Sequence, residues 1–344
     1  MQGDDGYKFF INGKEVITAW VRNRWGARQY VLETKKDSVY KIVLEYWQGE
    51  GKADVHLRYG HFEKSDTKAL VNRLKDVDAF VFVGGISPQL EGEEMKVDFE
   101  GFNGGDRTSI LLPKIQTEFM KTLKTTGKPV VFVMMTGSTI AIPNENVVIP
   151  AILNAWYGGQ SAGTAIADVL FGDYNPAGRL PVTFYKNDSD LPDFKDYSMS
   201  NRTYRYFKGE PLYPFGFGLS YTTFKYDKME ISKKIKTGQN LTLSTKVTNT
   251  GKKNGDEVVQ VYVSYPLITK APIRALKGFQ RIHLKAGESK IVTFQLTPEQ
   301  LSLIDENGKL YQPKGKVHIS IGGGQPNVKN ATTSNVLSKT VDMR

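Results

Sequence analysis

Residues 79–113 read AFVFVGGISPQLEGEEMKVDFEGFNGGDRTSILLP. The first five residues are an unbroken apolar run of strand length, and Gly84-Gly85 ends it. Two further runs follow the same plan. PVVFVMM (residues 129–135) ends in Thr136-Gly137, and the run Ala151 to Trp156 ends in Gly158-Gly159. Helix-like segments lie between and after them, at Pro113 to Leu123 and at Ser161 to Phe171. Strands that alternate with helices and are apolar throughout predict a parallel sheet covered on both faces. Residues 67–185 therefore read as a three-layer α/β/α sandwich with a mostly parallel sheet. Only three or four of its strands are visible in the sequence.

The flanking segments have a different period. Tyr40, Ile42, Leu44 and Tyr46 alternate with other residues, as do Val55, Leu57 and Tyr59. Asp4-Asp5-Gly6 and Asn12-Gly13 are turn signals, the second placed as in a hairpin. Residues 1–66 read as a partial β-sandwich. Residues 186–221 are irregular and rich in Pro, Tyr and Asp, which suits a packed connector. Residues 222–328 return to short alternating strands such as Leu241 to Val247 and Val258 to Tyr265. Turns at Asn249-Thr250-Gly251 and Lys285-Ala286-Gly287 punctuate them, as in a fibronectin type III or immunoglobulin-like sandwich. Residues 329–344 are polar and read as a loose tail.

Composition excludes several function classes. The 344 residues contain no cysteine, so disulfides, thiolate metal sites and cysteine nucleophiles are absent. The four histidines, His56, His61, His283 and His318, have no metal-binding spacing, and no metal or cofactor is expected. No apolar run approaches the roughly 18 residues of a membrane span. The formal charge of +10 comes from scattered lysines, among them Lys233, Lys234, Lys236, Lys252 and Lys253. They accompany no recognition helix or aromatic-basic motif, so a solvated basic surface is expected and no nucleic-acid partner.

Chemistry in open α/β sheets gathers on the loops after the strands. The loop after AFVFVGG carries Glu91, Glu93, Glu94, Asp98, Glu100 and Asp106. Mutual repulsion and desolvation would raise a carboxyl pKa there, as a general acid requires. A solvated acidic loop is the alternative. The loop after the third run contains G-x-S-x-G, which would make Ser161 a nucleophile. A helix start with small residues for close packing is the alternative, because His283 and His318 sit in strand-like runs of another module.

Several segments resemble glycoside hydrolase family 3, in the branch of bacterial β-xylosidases and β-glucosidases. They are GEEMKVDFEGFNGGDRTSILLP (92–113), WYGGQSAGTAIADVLFGDYNPAGRLPVTF (156–184) and RTYRYFKGEPLYPFGFGLSYTTF (202–224). LKGFQRIHLKAGES (276–289) resembles that family's fibronectin type III-like domain. DDGYKFFINGKEV (4–16) resembles half of its protective-antigen-like β-sandwich. The resemblance implies retaining, exo-acting hydrolysis of β-linked glucose or xylose, by two carboxylates about 5–5.5 Å apart. It implies an aspartate nucleophile on an N-terminal β/α barrel and a glutamate acid/base in a G-E-G-like segment upstream of a D-R pair. That selects Glu93, with Glu91 and Glu94 as fallbacks, and gives Asp106 and Arg107 a loop-shaping role through an ion pair or capping bonds. No such barrel fits among these modules. A missing N-terminal barrel is thus the expected partner, and the chain alone is expected to be inactive. The family setting implies a periplasmic or extracellular enzyme. Two other functions are kept: a non-catalytic carbohydrate-binding module using aromatics such as Trp20, Trp25 and Trp47, and a serine hydrolase using Ser161.

Overall fold

The structure, a computed structural model, describes residues 1–22, 28–60, 66–92, 97, 99–232, 234–328 and 332–344. The chain divides into two compact units, Met1–Asp66 and Thr67–Arg344.

In the first unit, strands β1 (Gly6–Ile11), β2 (Lys14–Ala19) and β3 (Ile42–Trp47) form an antiparallel sheet with β1 in the middle. Asn12 and Gly13 join β1 to β2 with φ of 50° and 80°, the left-handed pair of a tight hairpin turn. Tyr7, Phe9 and Ile11 alternate along β1 and bury one face together with Ile17 and Ala19. β3 pairs with β1, yet Ile42, Val43 and Leu44 stay exposed. The strand expected over Val55 to Tyr59 shrinks to Val55–His56, paired with Gln2–Gly3. Tyr59 is fully exposed. Alternation alone overstated these strands, because the described residues of this unit bury one small cluster around Tyr7, Phe9 and Ile11.

The second unit begins with α1 (Thr67–Arg73). Then come β4 (Phe80–Gly85), α2 (Lys114–Lys124), β5 (Val130–Met135), α3 (Pro143–Val148), β6 (Ala151–Asn154) and α4 (Ala162–Phe171). The three strands pair in parallel in the order β6-β5-β4. α2 turns Thr117, Met120 and Leu123 inward, and Phe119 meets Phe82, which in turn meets Phe132 at 5.7 Å between ring centres. Gln116 fastens α2 to the end of β4. Its Nε2 donates to the Gly85 carbonyl at 2.6 Å, and its Oε1 accepts from the Gly85 N–H at 2.7 Å. Cover is incomplete on the opposite face of β4, where Val81 and Val83 are 53% and 62% exposed. An apolar strand reports what it can bury, and the described residues leave this side of β4 open.

The sandwich contains β7 (Phe224–Ile231), β8 (Leu241–Asn249), β9 (Gly255–Ser264), β10 (Ala275–Leu284), β11 (Ser289–Leu296), β12 (Gly315–Gly322) and β13 (Val336–Met343). One sheet has the order β7-β8-β11. The other runs from the short strand Lys234–Ile235 through β13, β12 and β9 to β10. Alternate residues of both sheets, among them Tyr226, Leu243, Val261 and Ile319, share one core. Residues 336–343 are therefore not a loose tail. β13 pairs with β12 along its length and buries Val341 and Met343. Pairing on both edges recruits a segment whose own pattern is mostly polar.

The connector is packed in its second half, where Phe207 and Leu212 are buried, and open in its first, where Phe194 and Tyr197 are exposed. The preceding segment is tied to the sandwich by a buried ion pair. Arg179 Nη2 lies 2.8 Å from Glu257 Oε2, with side chains 7% and 0% exposed, and the Tyr226 hydroxyl donates to Glu257 Oε1 at 2.8 Å.

Candidate active site

Loops follow the carboxyl ends of β4, β5 and β6, and side chains from all three converge on Glu91. Gly85 makes the exit from β4 possible. Its φ is +126°, and a Cβ there would lie 1.9 Å from the Met135 carbonyl oxygen. From the loop after β5, the Ser138 hydroxyl donates to Glu91 Oε1 at 2.7 Å. From the loop after β6, the Tyr157 hydroxyl lies 3.3 Å from Glu91 Oε2 and 2.9 Å from the Ile86 carbonyl, to which it donates. From farther along Glu91's own loop, Arg107 Nη1 sits 3.9 Å from Glu91 Oε1. It also donates to Ser138 Oγ at 3.0 Å and to the Thr139 carbonyl at 2.7 Å.

Arg107 Nε reaches the Ser109 carbonyl at 3.2 Å. Burial pushes the Arg107 guanidinium below its ordinary pKa, and the charges of Glu91 and Asp188 pull it back up. Burial and the adjacent Glu91 charge both raise the Tyr157 hydroxyl. Arg107 Nη2 is buried and has no hydrogen-bond partner among the described residues. A serine hydroxyl thus bridges the Arg107 guanidinium and the Glu91 carboxylate.

Glu93, Glu94 and Asp98 lie outside the described residues. Their neighbours do not. Gly92 follows the anchored Glu91, and its carbonyl oxygen would be 1.8 Å from a Cβ on Gly105, whose φ is +94°. Two short strands, Phe102–Asn103 and Asp106–Arg107, pair to close the far end of the loop. Asp106 and Arg107 do not pair with each other. Asp106 is exposed, as is Glu100, and the acidic partner of Arg107 is Glu91.

Three members of this network went unnoticed in the sequence: Ser138, Tyr157 and Asp188. Ser138 directly follows Thr136-Gly137 and Tyr157 directly precedes Gly158-Gly159, and this position beside the glycines that end the strand runs is the signal that could have found them. Asp188 belongs to the connector. Its carboxylate accepts from Ser109 Oγ at 2.8 Å and from the Ile110 N–H at 2.7 Å, just beyond Arg107. Asn187 and Asp190 hold that turn in a reciprocal capping box, legible as N-x-x-D.

Ser161 occupies the cap position of α4 but makes no capping bond with its side chain. Neither His283 nor His318 hydrogen-bonds it. His283 Nδ1 lies 2.6 Å from Asp256 Oδ1 in the sandwich, and His318 is in β12. At Gly158, just before the motif, a Cβ would come within 2.3 Å of the Ala162 Cβ, so the chain packs closely there, whereas Gly159 and Gly163 have open space around them. Trp20 and Trp47 meet edge to face at 6.4 Å. Trp25 lies outside the described residues.

No helix among the described residues is long and apolar enough to cross a membrane. Residues 9–221 match the Glycosyl hydrolase family 3 C-terminal domain, and residues 257–325 match a Fibronectin type III-like domain. The xylan 1,4-beta-xylosidase of Xylanibacter ruminicola is 43% identical over 324 residues, covering 92% of this chain and 37% of that protein. The periplasmic beta-glucosidase of Salmonella typhimurium is 37% identical over 276 residues, covering 76% of this chain and 35% of that protein. The crystal structure of a beta-glucosidase from Kluyveromyces marxianus aligns with all of this chain and 43% of its own, at a TM-score of 0.72 and 26% identity. The chain thus spans little more than a third of the length of the curated relatives it matches. The family match over most of the chain, the parallel sheet with its long acidic loop and the sandwich that follows place this chain in glycoside hydrolase family 3, as a C-terminal portion.

Proposed function

We propose that this chain supplies the general acid/base of a retaining exo-β-glycosidase, that Glu93 is that residue, and that Glu91 positions it. The observation that carries the reading is the convergence of three strand-end loops on Glu91, two residues before Glu93. The Ser138 hydroxyl donates to one oxygen of Glu91, Arg107 stands beside that oxygen and the Tyr157 hydroxyl lies close to the other, which supports a positioning role for Glu91. Glu94 follows Glu93 directly and is its fallback. Arg107 shapes the loop through Glu91, and Asp106 contributes through the short ladder.

Retention needs a second carboxylate within about 5–5.5 Å of the first. None of the sheets among the described residues is an eight-stranded barrel. The nucleophile is assigned to a β/α-barrel part outside these 344 residues. Glu93 first protonates the leaving oxygen, and the nucleophile takes the sugar as a glycosyl ester. Glu93 then takes a proton from the water that cleaves the ester. β-linked xylose and glucose are the substrates suggested by the relatives' names, and a periplasmic or extracellular location by that of one of them.

The chain alone should not turn over nitrophenyl β-xyloside or β-glucoside. Joined to the unmatched remainder of the Xylanibacter xylosidase, it should become active. Glu93→Gln should then lower kcat/KM about 10²–10⁴-fold on alkyl xylosides, whose leaving groups need a proton. The loss should be far smaller on dinitrophenyl xyloside, whose leaving group does not. Glu91→Gln should slow both substrates alike. The same loss on both substrates for Glu93→Gln would sink the assignment.

A further inference from the structure

The connector's helical turn, Thr203–Tyr206, is fastened to the sandwich. Ile273 N–H donates to the Arg205 carbonyl at 2.7 Å, and Leu276 N–H donates to the Tyr204 hydroxyl at 3.2 Å. The Tyr204 ring stacks on Phe215 at 4.1 Å. Beside this junction is a cavity of about 390 Å³, the size of a small-ligand site. It shares no lining residue with the Glu91 network.

Its walls are of two kinds. Phe207, Pro211, Pro214 and Ile273 are apolar, while Arg274, Lys208, Thr183 and Asn327 are polar. Arg274 is held in place, since its Nη1 donates to Gln325 Oε1 at 2.7 Å and Gln325 Nε2 donates to the Phe215 carbonyl at 2.7 Å. Burial pushes this guanidinium down, with the Tyr262 hydroxyl pulling it back, and among the described residues no carboxylate pairs with it. Lys277, nearby in sequence, is also pushed down, by burial first and then by the charge of Arg205. The one carboxylate among the lining residues, Glu210, is engaged by Lys186 at 2.9 Å. Thr183 is 6% exposed, and its hydroxyl has no hydrogen-bond partner among the described residues.

A partly desolvated cation without a counter-charge and a buried hydroxyl without a partner both raise the free energy of the empty cavity. An anion with a hydroxyl beside it would satisfy both. A guanidinium fork matches a carboxylate in two parallel hydrogen bonds. Apolar walls next to hydrogen-bonding groups suit a sugar ring, which presents C–H faces and hydroxyl edges. Inorganic phosphate would meet the cation but leave the apolar walls unused.

We propose that this cavity binds a uronic acid, with its carboxylate on Arg274 and Lys208 and its hydroxyls on Thr183 and Asn327. The site would hold an acidic sugar whether or not Glu93 is the acid/base.

Calorimetric titration of the 344-residue chain with D-glucuronate, D-glucose and inorganic phosphate tests this. Glucuronate should bind at one site, about tenfold or more tighter than glucose or phosphate. Arg274→Gln should weaken glucuronate by about tenfold with an unchanged circular dichroism spectrum. If that variant does not fold, Lys208→Ser at an exposed position should still weaken it by about threefold. Absent glucuronate binding, equal binding of glucose or phosphate, or undiminished binding by a folded variant would each overturn the proposal.

Discussion

At the residue scale, Gly105 packs directly against the Gly92 carbonyl, at the start of the acidic loop. A side chain at Gly105 would meet the Gly92 carbonyl, and its φ of +94° disfavours any residue with a Cβ. Gly105→Ala should therefore destabilise the protein by about 1–3 kcal/mol and displace Gly92, next to Glu93. In the joined enzyme, kcat should fall while KM stays nearly constant. Wild-type kinetics in a measurably destabilised variant would show that this contact does not place Glu93. The acidic loop itself was legible from its length and its position after a glycine-terminated strand. Its anchors were not. Ser138, Tyr157 and Asp188 lie 47, 66 and 79 residues from the groups they bind, and local spacing carries no trace of such pairs.

At the element scale, the segment after α4 is joined to the sandwich through charge. Burial raises the pKa of the Glu257 carboxyl, and Arg179 and the Tyr226 hydroxyl pull it back. Arg179→Ala would leave that carboxylate buried without its cation, at a cost of about 3–5 kcal/mol. Urea unfolding followed by circular dichroism would measure it, and a loss well below that range would mean that the pair adds little. β13 illustrates the same dependence on distant partners. Its Ser338, Lys339 and Thr340 are exposed, while Val341 and Met343 are buried in the core and Leu337 packs against it. The α/β elements were easier to read. Their strands are unbroken apolar runs, and helix and strand periods differ enough to separate by eye.

At the scale of the whole molecule, several tyrosines titrate late. Burial, with Glu145 nearby, pushes the Tyr213 hydroxyl up to about 12. Burial also raises Tyr226, Tyr262 and Tyr265. Above pH of about 10 the unfolded chain loses these protons while the fold keeps them, so the folded state binds more protons. Stability is then full below that pH and falls as the pH rises toward the folded values. Denaturant midpoints should drop between about pH 9 and about pH 11, with tyrosinate absorbance appearing largely on unfolding. Constant midpoints across that window would contradict the burial argument. The sequence by itself determined the strand–helix alternation, the Asn12-Gly13 hairpin, the acidic loop and the family, because periodicity, turn chemistry and long motifs are written over neighbouring residues. The tertiary structure alone decided that Ser138, Tyr157 and Arg107 gather around Glu91, that Arg107 lies beside Glu91 and not Asp106, that residues 336–343 form a strand and that Val81 and Val83 are exposed. Each of these depends on what a distant segment brings to a residue, or fails to bring, and side-chain chemistry is satisfied by whatever arrives in space.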